Sequence, residues 1–401
     1  MMIIRKAFKY RLYPSSEQEQ RFAVQFGCAR FVYNHFLNVR EQYYASRKDN
    51  SRNKGLSYVD TNKMLTLLKR EPDCDWLRDA DSQVLQEALR NLDGAYQNFF
   101  RRVKSRNGKP GYPRFKSRKG KQSIRYPQRV KYEGNRTYLP KVGWVNTIFH
   151  RPLEGTPKSV TVSKTKSGKY FVSVLCEVEI PDPLRRSGEV GVDVGLKYFA
   201  VTSDGAFFSR PKHLLNAEKC LRRLQRRLSR RQKGSAGRER MRQQVARLHE
   251  KVANQRRDFH HKLSSTLVGE YGAIYLEDLN VRGMVRNRRL AKHISDAGWS
   301  QFATQLAYKG EWYGCRVEKV DRFAPSSKTC SACGSINHGL MLKNRTWVCP
   351  ECGALLERDL NAATNILNFS RAGAARSNAG GESVRLIPDE PFSAKPEAQL
   401  L

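Results

Sequence analysis

The chain opens with a stretch in which apolar and basic side chains alternate. Residues 3–13 read IIRKAFKYRLY, and the alternation is strict from Phe8 to Leu12. A two-residue period places one set of side chains on each face of a strand. The stretch therefore predicts a strand with one buried face, ended by Pro14.

A helical period replaces the alternation after this strand. Ser15 and Ser16 followed by Glu19 resemble a capping box, an arrangement that starts many helices. Apolar residues then recur at helical spacing in three stretches, 22–36, 61–69 and 82–100. Residues 15–105 are therefore predicted to form a small helical domain.

A second alternating region reaches residue 180. Every second residue from Tyr170 to Ile180 is apolar, after a turn at 166–168, which is typical of a β-hairpin. We expect it to close a small β-barrel with the strand at residues 3–13. The sequence Pro181-Asp182-Pro183 then marks a domain boundary.

The region after Ala217 is predicted to be a helical hairpin with a turn at 233–237, and one arm of it is strongly basic. Its polar face carries Arg222, Arg223, Arg226, Arg227, Arg230 and Arg231. Like charges one helical turn apart repel unless an anion lies along them, and a duplex backbone would fit. The alternative is a solvated face, which usually alternates in charge sign.

The whole chain shows the same excess of basic over acidic residues. Seventy-four Lys and Arg face 38 Asp and Glu, which gives a net charge of +36. So large an excess repels itself in a compact fold, and a polyanion usually neutralises it. Nucleic acid is therefore the expected partner.

A long basic run spans residues 101–131. It holds thirteen Lys or Arg and no acid, interleaved with Tyr112, Phe115 and Tyr126. Basic groups contact phosphates while aromatic rings stack on unpaired bases, which favours a nucleic-acid strand over a solvated linker.

The composition gives little support to a membrane protein. No apolar run approaches the roughly 18 residues that span a bilayer, and Arg5 and Lys6 interrupt the amino-terminal apolar residues, unlike a signal peptide. Five cysteines stand alone in the sequence, as reduced core thiols do: Cys28, Cys74, Cys176, Cys220 and Cys315. We therefore expect an intracellular, cytoplasmic protein.

The other four cysteines form two close pairs. Cys330 and Cys333 are separated from Cys349 and Cys352 by fifteen residues, a spacing that brings four thiolates to one zinc ion. An iron–sulfur centre is less usual at this spacing. Four protein ligands leave no position for water, so the zinc is predicted to be structural.

Three acids are candidates for a second metal site. Asp193 lies in an apolar strand between Gly191 and Gly195, which we interpret as leaving space for a substrate or ion. Glu277 ends the apolar run 273–276, and Asp359 begins a predicted helix that also carries Asn361 and Asn365. Singly, such acids are more often caps or ion pairs.

Together, these acids could hold two divalent ions about 3.5–4 Å apart, one activating water and one stabilising the leaving oxygen. Oxygen ligands select hard cations. Magnesium or manganese is therefore expected at the acids, and zinc only at the cysteines.

These motifs closely resemble the TnpB (OrfB) family of bacterial and archaeal insertion sequences. The resemblance rests on the strand around Asp193, the segment 276–280, the cysteine pairs and the segment 358–365. The opening residues 6–14 and 29–34 also resemble it, so that it covers roughly residues 3–370.

The resemblance implies an α/β multidomain, RNA-guided DNA endonuclease with a RuvC-like, ribonuclease H-type nuclease domain. Asp193, Glu277 and Asp359 would be its catalytic acids. A guide RNA would pair with target double-stranded DNA beside a short motif, and the displaced single strand would reach the acids.

The implied domains follow the chain in order. They are the first strand of a wedge β-barrel (1–14), a helical recognition domain (15–105), the remaining wedge barrel (106–183), the nuclease domain (184–370) with a zinc ribbon inserted at 326–356, and a disordered tail (371–401).

One departure and two alternative functions remain. The family often shows Asp-Phe-Leu-His where this chain has Asp258-Phe259-His260-His261, and we interpret His260 as a tolerated surface change without a metal role. A strand-transfer transposase is one alternative, although such enzymes typically end on a helical Glu. A binding protein without catalysis, such as a guide-dependent repressor, is the other.

Overall fold

The computed structural model describes residues 1–46, 55–105, 110–183, 186–341 and 343–379, with side chains as far as residue 372. The chain divides into two compact units, Met1–Ile180 and the part from Pro181 onward. No helix in the described ranges is long and apolar enough to cross a membrane.

The first unit combines a sheet with a layer of helices. Its elements are β1 (Met2–Tyr13), α1 (Ser16–Ala45), α2 (Tyr58–Leu68), a 3₁₀ helix (Pro72–Asp79), α3 (Ser82–Ser105), β2 (Gln122–Tyr126), β3 (Lys131–Glu133), β4 (Arg136–Leu139), β5 (Gly143–Ile148), β6 (Thr156–Lys164) and β7 (Tyr170–Ile180).

The seven strands form one antiparallel sheet in the order β2-β6-β7-β1-β5-β4-β3. β1 pairs with β7 from Met2–Ile180 to Leu12–Tyr170. Phe8, Tyr10 and Leu12 are buried on one face of β1, which confirms the strand that the alternation predicts.

Helix α1 packs against both the sheet and the other helices of the first unit. Near its start, the ring of Phe22 stacks on Tyr170 of the sheet, while residues from Cys28 to Leu37 pack with α2, the 3₁₀ helix and α3. The capping box is formed by Ser15 with Gln18 and not with Glu19, and Ser16 is already the first helical residue.

The second unit is built on a mixed sheet. Its elements are β8 (Glu189–Val194), β9 (Tyr198–Thr202), β10 (Phe207–Ser209), α4 (His213–Ser229), α5 (Ala236–Glu270), β11 (Ala273–Glu277), α6 (Val281–Met284), α7 (Ala291–Ala297), α8 (Trp299–Tyr313), β12 (Arg316–Val320), β13 (Thr346–Val348), β14 (Leu355–Glu357) and α9 (Arg358–Ala379).

Five of these strands pair in the order β10-β9-β8-β11-β12. β8, β11 and β12 are parallel, and β9 and β10 are antiparallel to their neighbours. Side chains from α5, α7 and α8 form a core with Val190 and Val192 of β8. On the other face, Ile366 of α9 packs on Ala273 and Tyr275.

Two sequence expectations are wrong in this unit. His260 is fully buried, not on the surface, and its ring packs against Phe199 and Phe302 while its Nε2 lies 2.9 Å from the carbonyl oxygen of Ala297. The disordered tail is predicted to begin at residue 371, but the chain is helical as far as Ala379. Residues 380–401 lie outside the described ranges.

Candidate active site

Parallel strand pairing brings Asp193 and Glu277 to one edge of the mixed sheet. Val192 of β8 is paired with Leu276 of β11, so the residues that follow, Asp193 and Glu277, are neighbours. Both lie toward the carboxyl ends of their strands. Open α/β sheets bind their ligands at this edge.

The third acid reaches the same edge on α9, whose first turn contains Asp359. Gly191 permits the close approach of this helix, because a Cβ there would lie 2.1 Å from the carbonyl oxygen of Ala363 and 2.7 Å from the nitrogen of Leu367. The interpretation that Gly191 leaves room for a substrate or ion is therefore wrong. The backbone of α9 fills that space.

The three carboxylates interact electrostatically. Burial raises the pKa of Asp193 well above its usual value, and the nearby charges of Glu277 and Asp359 raise that pKa further. The guanidinium of Arg358 acts in the opposite direction. Positive charge at this edge would relieve the repulsion, and carboxylate oxygens are the ligands that hard divalent cations prefer.

Each of the other two acids has a polar partner of its own. The hydroxyl of Ser326 donates to Oε1 of Glu277 at 2.5 Å, and Nη1 of Arg345 lies 3.4 Å from Oδ1 of Asp359. Nothing in the local sequence pattern indicates either partner. Both lie in the segment that precedes or contains the cysteine pairs.

The four cysteines form a compact donor set. Their sulfur atoms all lie within 4.8 Å of one another, and across the described residues no other group of three or more possible metal ligands is gathered so closely. The sulfur atoms of Cys330 and Cys352 are 3.7 Å apart, as are those of Cys333 and Cys349. Four thiols at this spacing fit a tetrahedral zinc ion.

Two equivalent turns hold the cysteines in place. The amides of Gly334 and Gly353 donate to the carbonyl oxygens of Cys330 and Cys349 at 2.8 and 3.0 Å. Both glycines have positive φ, +79° and +71°, a conformation that glycine adopts without strain. The glycines that the sequence places after each pair therefore close the two turns.

The cysteine segment is tied to α9 by two buried asparagines. Nδ2 of Asn365 donates to the carbonyl oxygens of Ser326 and Thr329 at 2.8 and 2.6 Å, and Nδ2 of Asn361 donates to Thr329 at 2.8 Å. Oδ1 of Asn361 accepts from the amide of Ser331 at 2.9 Å. These residues therefore dock the cysteine segment beside Asp359.

The predicted helical hairpin is confirmed as α4 and α5. All six arginines of the stripe are exposed, four of them on α4 and the last two, Arg230 and Arg231, just after its end, whereas Leu221 on the helix is buried. Arg222, Arg223, Arg226 and Arg227 therefore form an exposed basic face on α4.

The three aromatic rings of the basic run at residues 101–131 differ in solvent exposure and packing. Phe115 is 56% exposed, but Tyr126 is fully buried in β2, and Tyr112 packs edge-on against Tyr96 and Phe99 of α3. The prediction that all three rings stack on bases is therefore wrong for Tyr126. Residues 106–109 of the run lie outside the described ranges.

The second unit thus defines a class: an α/β domain that gathers three acids at the edge of a mixed sheet and docks a four-cysteine ribbon beside them. Three sequence profiles of known families also match the chain. Residues 173–288 match "Probable transposase", residues 299–366 match "Cas12f1-like, TNB domain" and residues 1–49 match "Helix-turn-helix domain". Within the last match, the described residues form β1 and the single helix α1.

Two bacterial relatives align over nearly the whole chain. A "Putative RNA-guided DNA endonuclease" of Streptomyces pristinaespiralis is 38% identical, covering 96% of this chain and 93% of the relative. The "Putative RNA-guided DNA endonuclease InsQ" of Escherichia coli K12 is 36% identical, covering 92% of each. The chain therefore belongs to the TnpB (OrfB) family of IS605-type insertion sequences.

Among solved structures, the chain resembles that titled "Cryo-EM structure of the Cas12f1-sgRNA-target DNA complex". The two share 15% identity with a TM-score of 0.48, covering 92% of this chain and 99% of the other.

Proposed function

We propose that this chain is the RNA-guided DNA endonuclease of an insertion sequence. It would cleave double-stranded DNA that matches a guide RNA and carries a short motif beside the match. The observation that supports this most is the mutual charge interaction of Asp193, Glu277 and Asp359 at one sheet edge. The activity named for its two full-length relatives agrees with it.

In this proposal the three acids hold magnesium or manganese. Ions bound there would supply the chemistry of water activation and of stabilising the leaving oxygen of the phosphodiester. Asp193, Glu277 and Asp359 would hold these ions, with Ser326 orienting Glu277 and Arg345 orienting Asp359. In this proposal the scissile phosphate would bind at the carboxyl ends of β8 and β11.

Zinc has a different role in the proposal. Held by Cys330, Cys333, Cys349 and Cys352, it stabilises a segment too short to build a large core of its own. The small cluster around Trp347 and Leu340 is the apolar core of that segment. The ribbon would therefore support the nuclease domain without taking part in the chemistry.

The proposed domains assign the first unit to DNA recognition. Its sheet would be the wedge barrel (1–14 and 106–183) and its helices the recognition domain (15–105), followed by the nuclease domain (184–370). The α4 arginines would contact phosphates of the guide–target heteroduplex, so binding should weaken steeply as salt rises. We propose a cytoplasmic site of action, at the bacterial or archaeal nucleoid.

The experiment is to purify the chain with its bound RNA, sequence that RNA, and add plasmids that match it beside a randomised flank. We expect cleavage of matched plasmids only, and only with magnesium or manganese. Equal cutting of any duplex by RNA-free protein would exclude guidance, and joined transposon ends would indicate a strand transferase. Guided binding without cleavage would indicate a repressor.

A further inference from the structure

Ser326 occupies a junction between three parts of the second unit. It is buried and lies four residues before the first cysteine ligand. Its side chain contacts β11, its carbonyl oxygen contacts α9, and its amide donates to Ala324 at 2.8 Å.

The side chain of Ser326 contacts Glu277. The Ser326 hydroxyl donates to Oε1 of Glu277 at 2.5 Å. A hydrogen bond to a carboxylate is among the stronger kinds in proteins, and it fixes the rotation of the carboxyl group. Because the carboxyl group is rigid, the same contact also fixes the position of Oε2 of Glu277.

The backbone of Ser326 contacts the helix that carries Asp359. The Ser326 carbonyl oxygen accepts from Nδ2 of Asn365 at 2.8 Å and from Nδ2 of Asn361 at 3.5 Å. Both asparagines belong to the first two turns of α9, the helix that carries Asp359. One residue therefore links Glu277 to the helix of Asp359.

The third contact joins this link to the cysteine ribbon. Thr329 accepts from the same asparagines and donates its amide to Pro325 at 3.0 Å, and Cys330 follows directly. The turn that contains Ser326 is therefore anchored at one end by the first cysteine ligand. Loss of the ribbon fold would release this turn.

We propose that Ser326 is a positioning residue that transmits the folded, zinc-loaded state of the ribbon to the acid site, by fixing Glu277 relative to Asp359. The inference rests on the proposed function, because it assumes that the acids bind a divalent cation. Groups that orient metal ligands from behind typically change affinity by about 10- to 100-fold.

The test measures Mn²⁺ binding to the full-length, RNA-free chain by electron paramagnetic resonance, with zinc content determined on the same samples. Binding that Asp193→Ala removes defines the acid site. We expect Ser326→Ala to retain zinc and to weaken this binding about tenfold or more. Ser326→Thr, which keeps the hydroxyl, should recover most of the affinity.

Ser370→Ala is the matched control, because among the described residues its hydroxyl donates within α9, to the carbonyl oxygen of Ile366 at 2.9 Å. It should bind Mn²⁺ as the unmodified chain does. Cys352→Ser should lose zinc and weaken Mn²⁺ binding. If Ser326 carries the coupling, adding Ser326→Ala to Cys352→Ser should have little further effect.

Two results would overturn the inference: unchanged Mn²⁺ affinity in Ser326→Ala, or fully additive effects in the double variant. In either case Asp193→Ala would still abolish binding and the proposed function would stand. If Asp193→Ala left Mn²⁺ binding unchanged, the metal-dependent function would fail first.

Discussion

The cysteine ribbon and the acid edge are two candidate metal sites in the second unit, and they are built in opposite ways. The ribbon ligands fall within Cys330–Cys352, and local turns place them. The acids span Asp193–Asp359, and only strand register and helix packing bring them together. A local motif can specify its own site, whereas a dispersed one depends on the whole domain.

The two sites also differ in their expected effect on stability. Metal bound by a ribbon stabilises the fold directly, since the ligands are unordered in the unfolded chain. At the acid edge, carboxylates repel one another in a desolvated corner, which costs stability until a cation neutralises them.

Replacing Asp193 with Asn should separate activity from stability. We expect cleavage to fall by at least about 1,000-fold. The raised pKa means that the folded chain binds the Asp193 proton more tightly than the unfolded chain does, so stability decreases as pH rises between the unfolded and folded pKa values. Without added magnesium at pH 7, the variant should therefore have a higher free energy of unfolding in urea, by about 1 kcal/mol.

Cleavage assays and urea titrations measure these two effects. Glu318→Gln is the control, because this exposed carboxylate on β12 pairs with Arg316 and lies outside the acid site. It should change neither quantity appreciably. Full-rate cleavage by Asp193→Asn would remove Asp193 from the site.

Replacing Cys352 with Ser should have the opposite effect on stability. The variant is expected to lose zinc, to become sensitive to proteolysis between residues 326 and 357, and to cleave DNA at least about tenfold more slowly. Zinc analysis and limited proteolysis measure the change. Cys220→Ser, a half-buried cysteine on α4, should retain zinc and resist the protease. Retained zinc in Cys352→Ser would contradict the ligand assignment.

Gly191→Ala tests the packing that brings Asp359 to the edge. The new Cβ would meet backbone atoms of α9 at 2.1 and 2.7 Å, so we expect a loss of about 1–3 kcal/mol or more and weaker metal binding. Gly269→Ala is the matched change, because its Cβ has open space within α5 and should stabilise by about 0.5–1 kcal/mol. Equal effects in urea denaturation would refute this account of α9.

His260→Leu should weaken the response of stability to acid, in addition to the pH-independent loss of the contact between Nε2 and the carbonyl oxygen of Ala297. Burial lowers the pKa of His260 to about 4, below its unfolded value of about 6.5. The unfolded chain therefore binds more protons between these values, and stability is lost as pH falls through them. The cost is about 3 kcal/mol at most. The Leu variant should lose less stability between pH 6.5 and 4; an unchanged slope would contradict this.

The sequence predicts the secondary-structure elements and the candidate metal ligands better than it predicts which residues pack against them. Cysteine spacing and strand periodicity identify the ribbon and the strand of Asp193, because both signals are local. By contrast, the fit of Gly191 against α9, the contact between Ser326 and Glu277, and the burial of His260 and Tyr126 all depend on residues distant in sequence. A single sequence shows which side chains are apolar, but not what packs against them.

The central claim is that hard cations bind the acids and zinc binds the cysteines. The most direct measurement is anomalous scattering from crystals of the full chain soaked in Mn²⁺, recorded at the manganese and zinc edges. We predict manganese peaks among Asp193, Glu277 and Asp359 and one zinc peak among the four cysteines. Zinc at the acids, or no manganese peak there, would contradict the account.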